Sequence, residues 1–202
     1  MSPHHAYPLP VSEQDYLDGE LLTDIKHEYI HGEVYAMAGA KAAHNRITLN
    51  ISSALHQHLK GKTCQPYSGD MKVKVDSCYF YPDVLVDCSD LADDSVFTET
   101  PTIIVEVLSK STRQIDRVIK REKYLQIPTL QEYILIEQGI AEIEVVCRSQ
   151  NWQSHFYYLG DHITLNSIGL SISVEDIYDR VKNEDVVTWL EKKALAEQNV
   201  SN

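Results

Sequence analysis

Two apolar runs, each interrupted by a single acid, constrain this chain more than any other feature. The first is Tyr79-Phe80-Tyr81-Pro82-Asp83-Val84-Leu85-Val86 and the second Thr102-Ile103-Ile104-Val105-Glu106-Val107-Leu108. Their β-branched and aromatic content predicts two buried strands. A carboxylate inside such a strand is expensive to bury, so it takes up a proton or finds a partner. For either acid alone the ordinary solution is structural: a loop hydrogen bond to Asp83, or a buried Lys or Arg beside Glu106. Two acids on neighbouring strands repel each other unless a cation is shared between them. Hard oxygen ligands of this kind suit Mg²⁺ or Mn²⁺.

The rest of the chain predicts one soluble domain over residues 1–202, with a core at about 41–137 and flexible ends at 1–11 and 199–202. No apolar stretch approaches the ~20 residues of a membrane span, and Met1 to Pro8 lack the basic and apolar regions of a leader, so a cytoplasmic location without membrane contact is expected. Cys64, Cys78, Cys88 and Cys147 form no CxxC pair, which argues against a zinc ribbon, and all four are expected as reduced thiols. A net charge of −12 argues against a non-specific nucleic-acid coat. It leaves room for a nuclease with a local basic patch. Lys110, Arg113, Arg117, Lys120, Arg121 and Lys123 form such a patch, opposed only by Asp116 and Glu122.

Residues 12–24 read as a helix capped by Ser12, and a hairpin turns at His31-Gly32 between Glu28 and Met37. Ile47, Ile51, Ala54, Leu55 and Leu59 recur at helical spacing over 41–60, and Gly61 ends that helix. A half-buried strand over Met71–Val75 precedes the Asp83 strand, an acidic loop and the Glu106 strand. Ser111-Thr112-Arg113-Gln114 fits a capping box for a helix that stops before Pro128. A strand over Glu132–Glu137, an antiparallel pair over 141–148 and 152–159, and one or two helices broken near Asn183 complete the chain. The fold class is therefore α/β (α+β): helix, three strands, helix, strand from residue 41, with a mixed central sheet. The crossover makes the Glu106 and Tyr133 strands parallel.

With these elements in place, the chain resembles the PD-(D/E)xK nuclease superfamily, and more closely its Uma-type restriction-endonuclease branch, abundant in cyanobacteria. The resemblance is carried by Tyr29-Ile30-His31-Gly32-Glu33, Ala43-His44-Asn45, Tyr81-Pro82-Asp83-Val84, Glu106-Val107-Leu108-Ser109, Ser111-Thr112, Asp116-Arg117, Lys120, Tyr124 and Glu132-Tyr133. It implies a restriction-endonuclease-like fold, Mg²⁺-dependent cleavage of a phosphodiester in nucleic acid, chiefly DNA, and a homodimer. Asp83 and Glu106 would hold the metal, with the main-chain carbonyl of Val107 as a further ligand. The superfamily's lysine, two residues after the acid, is here Leu108, and Lys120 matches the position to which the branch has moved it.

Spacing alone places Asp116, Lys120 and Tyr124 on one helix face. There Lys120 is either a catalytic cation beside Glu106 or half of a plain surface pair with Asp116. Glu28 and Glu33 flank the hairpin turn and read equally as exposed charges or as metal-reaching acids. His44, His56 and His58 read as structural, with His44 at the site entrance. No phosphate-cradling glycine loop and no nucleophile elbow occurs. The rival to an enzyme is a catalytically silent binding or assembly module that keeps the fold.

Overall fold

The computed structural model describes residues 10–110 and 112–200, with the side chain of Val200 outside that description. Expectations for the extreme ends and for Ser111 as a helix cap lie outside the described residues. In chain order the elements are α1 (Glu13–Glu20), β1 (His27–Ile30), β2 (Glu33–Ala36), α2 (Ala42–Leu59), β3 (Gln65–Ser68), β4 (Lys72–Val75), β5 (Cys78–Phe80), β6 (Val84–Asp87), β7 (Phe97–Thr98) and β8 (Pro101–Leu108). A π-helical segment, Ile115–Lys120, then runs into α3 (Arg121–Tyr124). After it come β9 (Glu132–Glu137), β10 (Glu142–Cys147), β11 (Ser154–Tyr158), β12 (His162–Leu165), β13 (Leu170–Ser173), α4 (Val174–Ile177) and α5 (Glu184–Val200).

The central sheet has the strand order β11-β10-β9-β8-β6-β3, and a second sheet has the order β2-β1-β5-β4-β7. β8 and β9 are parallel, with Ile104 opposite Tyr133, as the crossover requires. The Asp83 run departs from expectation. It is two strands, because β5 belongs to the second sheet and β6 to the central one. The chain changes sheets through Tyr81-Pro82-Asp83, where Pro82 has no N–H to give to a ladder. The Met71–Val75 strand likewise lies in the second sheet, paired with β5. The central sheet's remaining strand is β3, which sequence periodicity did not show; its Pro66 is tolerable at a sheet edge.

Alternation along β6 and β8 divides the core. Val84, Val86, Ile103, Val105 and Val107 face α2 and meet Ile47, Ile51, Leu55 and Leu59. Leu85, Ile104 and Leu108 face the other side, packing with Tyr124, Tyr133 and, from the second sheet, Phe80 and Val73. Glu106 shares the parity of Ile104 and Leu108, so it enters the layer beneath the π-helical segment and α3.

The expectation of four free thiols is corrected: Cys64 and Cys88 form a disulfide, while Cys78 and Cys147 are free and buried. Gln65 and Asp87 are opposite one another in the antiparallel β3–β6 pair, which brings the flanking cysteines face to face. With β3 unrecognised, that proximity was invisible. The other terminal features agree with expectation: Ser12 caps α1, and a break at Asn183 precedes α5, where the Asn183 Oδ1 accepts from Val186 N–H at 2.9 Å.

Candidate active site

Val84 stands opposite Val105 in the antiparallel β6–β8 pair, so Asp83 falls level with Glu106 at the end of β6. The Asp83 Oδ2 accepts a hydrogen bond from the Val107 N–H at 2.7 Å, and its Oδ1 lies 3.2 Å from the His44 Nε2 on α2. On β8, the Glu106 Oε1 accepts from the Lys120 Nζ at 3.2 Å and from the Tyr124 hydroxyl at 3.1 Å. The buried lysine foreseen for Glu106 is thus present, whereas Asp83 is met by strand β8 and by His44 of α2 rather than by a loop, and both acids open on the same cleft, about 980 Å³ in volume.

Lys120 is the centre of the buried half of the site. Its Nζ lies 2.8 Å from Glu28 Oε1 and 3.2 Å from Asp116 Oδ1, in addition to Glu106. Its side chain is only 5% exposed, so the surface-pair reading is corrected: this is a buried cluster. The π-helical geometry helps to build it. Widening the turn from Ile115 to Lys120 points Asp116, Lys120 and then Tyr124 inward, and the Tyr133 hydroxyl ties down the Asp116 main-chain carbonyl at 3.0 Å. Glu28 comes from β1, and its Oε1 also accepts from the Tyr81 N–H at 3.1 Å. The exposed-hairpin reading therefore holds for Glu33, which is exposed and bonded to the Tyr35 hydroxyl, and fails for Glu28.

Burial pushes the Glu106 carboxyl well above its ordinary pKa; the Lys120 ammonium opposes that shift, while Asp116, Asp83 and Glu28 add to it. Burial pulls the Lys120 ammonium downward, but Glu106, Glu28 and Asp116 together raise it well above its ordinary pKa. His44 is pulled down by burial and more than restored by the hydrogen bond and charge of Asp83. Three carboxyl groups thus surround one ammonium.

The expected basic patch is largely consumed by the protein itself. Arg113 pairs with Glu137, Arg117 with Glu137, Glu142 and Glu144, and Arg121 with Glu144. Lys123 reaches Asp76 at 3.1 Å, away from Glu106, so Lys120 and not Lys123 meets the strand acid. The partners of these arginines lie on β9 and β10, which is why a run of basic residues could not reveal them. Among the described residues five exposed cations line the cleft: Lys26 and Arg113 are ion-paired, while Lys41, Lys110 and Lys182 have no ion pair. His44 belongs to the site, whereas His58 bonds the Ile168 carbonyl at 2.9 Å elsewhere.

Among the described residues no three His, Cys, Asp or Glu side chains are grouped as a ready cation cage. Two carboxylates and a carbonyl can still suit Mg²⁺, which keeps several waters and takes one or two carboxylates from a protein. The donors Asp83, Glu106 and the Val107 carbonyl fit that chemistry, and the surplus of carboxyl groups over cations favours an added positive charge.

Two cyanobacterial relatives, both uncharacterized proteins of Synechocystis, are similar to this chain. One is 35% identical over 182 residues, spanning 88% of this chain and 95% of the relative. The other is 37% identical over 139 residues, spanning 64% of this chain and 76% of the relative. A crystal structure from Anabaena variabilis, described as that of "a putative nuclease belonging to DUF820", shares the fold with a TM-score of 0.68 at 17% identity, over 82% of this chain and 98% of that one. Residues 13–175 match the Uma2 family, described as "Putative restriction endonuclease", and the chain belongs to that family.

Proposed function

We propose that this protein is a metal-dependent endonuclease that hydrolyses phosphodiester bonds of nucleic acid, with DNA as its substrate. The observation that carries this reading is the convergence of Asp83 and Glu106 on one cleft, with the buried Lys120 ammonium against Glu106. Asp83, Glu106 and the Val107 carbonyl would hold Mg²⁺ or Mn²⁺, which when bound acidifies water and neutralises phosphate charge. The Val107 N–H orients Asp83 through its Oδ2, leaving the Val107 carbonyl on the same stretch of β8 as Glu106. Lys120 places a fixed positive charge beside the reacting phosphate, where charge develops in the transition state. Lys41, Lys110 and Lys182 would bind the flanking phosphates.

Cutting both strands of a duplex takes two such sites, which is the ground for proposing a homodimer. None of the described helices is long and apolar enough to cross a membrane. The second reading, a silent assembly module, is favoured by one observation: Lys120 already has three carboxylates as near neighbours. Incubating the purified protein with Mg²⁺ or Mn²⁺ on DNA and RNA, single- and double-stranded, tests the proposal. Cleavage of DNA that chelator abolishes and Asp83→Asn lacks is expected. Intact substrates under every condition would favour the module.

A further inference from the structure

We infer that Asn183 donates its side-chain amide to a phosphodiester oxygen of bound nucleic acid, and that with Lys182 beside it in the chain it forms a phosphate subsite on the cleft wall. Both residues line the cleft onto which Asp83 and Glu106 open. Both lie beyond residues 13–175, the stretch that matches the Uma2 family.

Asn183 is only 9% exposed, and its Nδ2 is buried with no acceptor among the described residues. The direction of the amide is fixed from within. Its Oδ1 accepts the Val186 N–H at 2.9 Å, so the reverse orientation would set two donors against each other. The NH₂ group is therefore committed as a donor, and a buried donor without an acceptor is costly. An acceptor brought by a ligand removes that cost. Lys182, exposed and without an ion pair among the described residues, adds the charge that selects an anionic acceptor. An amide donor next to an ammonium suits a phosphate oxygen, and such contacts set the register of a nucleic acid without reading its bases.

The wall that carries the subsite is held in place. Asn50 of α2 donates its Nδ2 to the carbonyls of Ile177 and Asp179, at 3.0 Å each. Val181 is buried in the core layer that contains α2, and Asp185 accepts the Ala141 N–H at 2.8 Å. Glu184 and Asp185, the acids in the first turn of α5, do not line the cleft. The inference deepens the proposed function and rests on its nucleic-acid substrate: Asn183 would hold a phosphate flanking the one that reacts.

Fluorescence anisotropy of DNA and RNA oligonucleotides, paired with melting curves, on the wild type, Asn183→Asp and Lys182→Ala tests this. In Asn183→Asp the new carboxylate still accepts the Val186 N–H, but the donor is replaced by a negatively charged acceptor. This variant should melt within a few degrees of the wild type, because aspartate caps a helix as well as asparagine does. It should bind oligonucleotide about 10-fold or more weakly. Lys182→Ala should also bind more weakly, with a shallower salt dependence. In oligonucleotides carrying one neutral methylphosphonate linkage, one position should weaken binding to the wild type and have little further effect on Asn183→Asp. Binding by Asn183→Asp as tight as by the wild type would make the residue a cap of α5 alone and overturn the subsite. If Asn183→Asp fails to fold, Asn183→Ser, which also retains a capping oxygen, is read in the same way. Oligonucleotide binding without cleavage under any condition would sink the nuclease reading and leave the subsite standing. Cleavage by Asn183→Asp with the KM of the wild type would do the opposite, and a wild type that binds no oligonucleotide overturns both.

Discussion

The Glu28 carboxylate, carried on the first strand of the N-terminal hairpin, lies 2.8 Å from the Lys120 ammonium. Because β1 belongs to the second sheet and Lys120 to the helix over the central one, this contact fastens the two sheets together at the site. It also brings the hairpin into the walls of the candidate site. Tyr81, at the sheet crossing, closes the same contact by donating its N–H to Glu28.

Lys120→Ala should be costly to both folding and activity. It leaves Glu28, Glu106 and Asp116 facing each other in a buried space with no cation. Removing one partner of a buried ion cluster costs ~3–5 kcal/mol. For a domain of this size that lowers the melting temperature by roughly 10 °C. Any metal-dependent cleavage should fall by ~10²-fold or more, the scale of losing one transition-state charge contact. Lys123→Ala, by contrast, breaks only an exposed pair with Asp76 and should leave melting and cleavage nearly unchanged. Thermal melts and initial rates of the two variants, side by side, decide the matter. Equal behaviour of both would place Lys120 outside the mechanism.

Asp83→Asn should lose Mn²⁺ affinity while keeping the fold. The amide oxygen of the new side chain can still accept the Val107 N–H that Oδ2 now accepts. What disappears is one negative charge beside Glu106, and with it one hard ligand. Calorimetry should show binding in the wild type and little or none in the variant, with unchanged far-ultraviolet dichroism. Matching affinities in the two proteins would move the metal away from β6.

The pairing of Asp83 with Glu106 was legible in the sequence because each acid interrupts an apolar run, and burying a charge there demands compensation. The parallel β8–β9 crossover was legible from the order of the elements. Glu28 was not, since the letters around His31-Gly32 describe a hairpin and say nothing of what packs over it. Nor was the division of the Tyr79–Val86 run between two sheets, which depends on where partner strands lie rather than on propensity. Lys120 was placed by resemblance, and its burial became clear only once β1 was seen to reach it.

Arg117→Ala should act on stability and leave nucleic-acid binding alone. Arg117 meets Glu144 at 2.5 Å and Glu137 at 3.3 Å, and both acids are nearly inaccessible to water. Arg113 and Arg121 remain to serve those carboxylates, which limits the loss to about 1.5–3 kcal/mol, the range for hydrogen bonds to charged groups. Lys41→Ala or Lys110→Ala should do the reverse, weakening binding to a DNA duplex and flattening its salt dependence, because those side chains are exposed on the cleft. Fluorescence anisotropy at two salt concentrations, paired with denaturant melts, separates the two classes. A stable Arg117→Ala protein with poor DNA binding would reverse the assignment.

The Cys64–Cys88 disulfide gives a sharp chemical count. Thiol titration in denaturant without reductant should find two groups, Cys78 and Cys147, both buried and with their thiols pushed upward by burial. Adding reductant first should raise the count to four. The bridge spans a sequence separation of 24, and closing a loop of that length stabilises a fold by about 3 kcal/mol when strain is small. Cys88→Ser should therefore melt lower than the oxidised wild type and show no further drop on reduction, whereas the wild type should fall on reduction to about the variant's level. The site itself should survive, because Asp83 enters at the opposite end of β6 from Cys88. Four thiols without reductant would mean that the cross-strand pair stays open in solution, as a reducing compartment would favour. β3 would then be held to the sheet by its ladder with β6 alone.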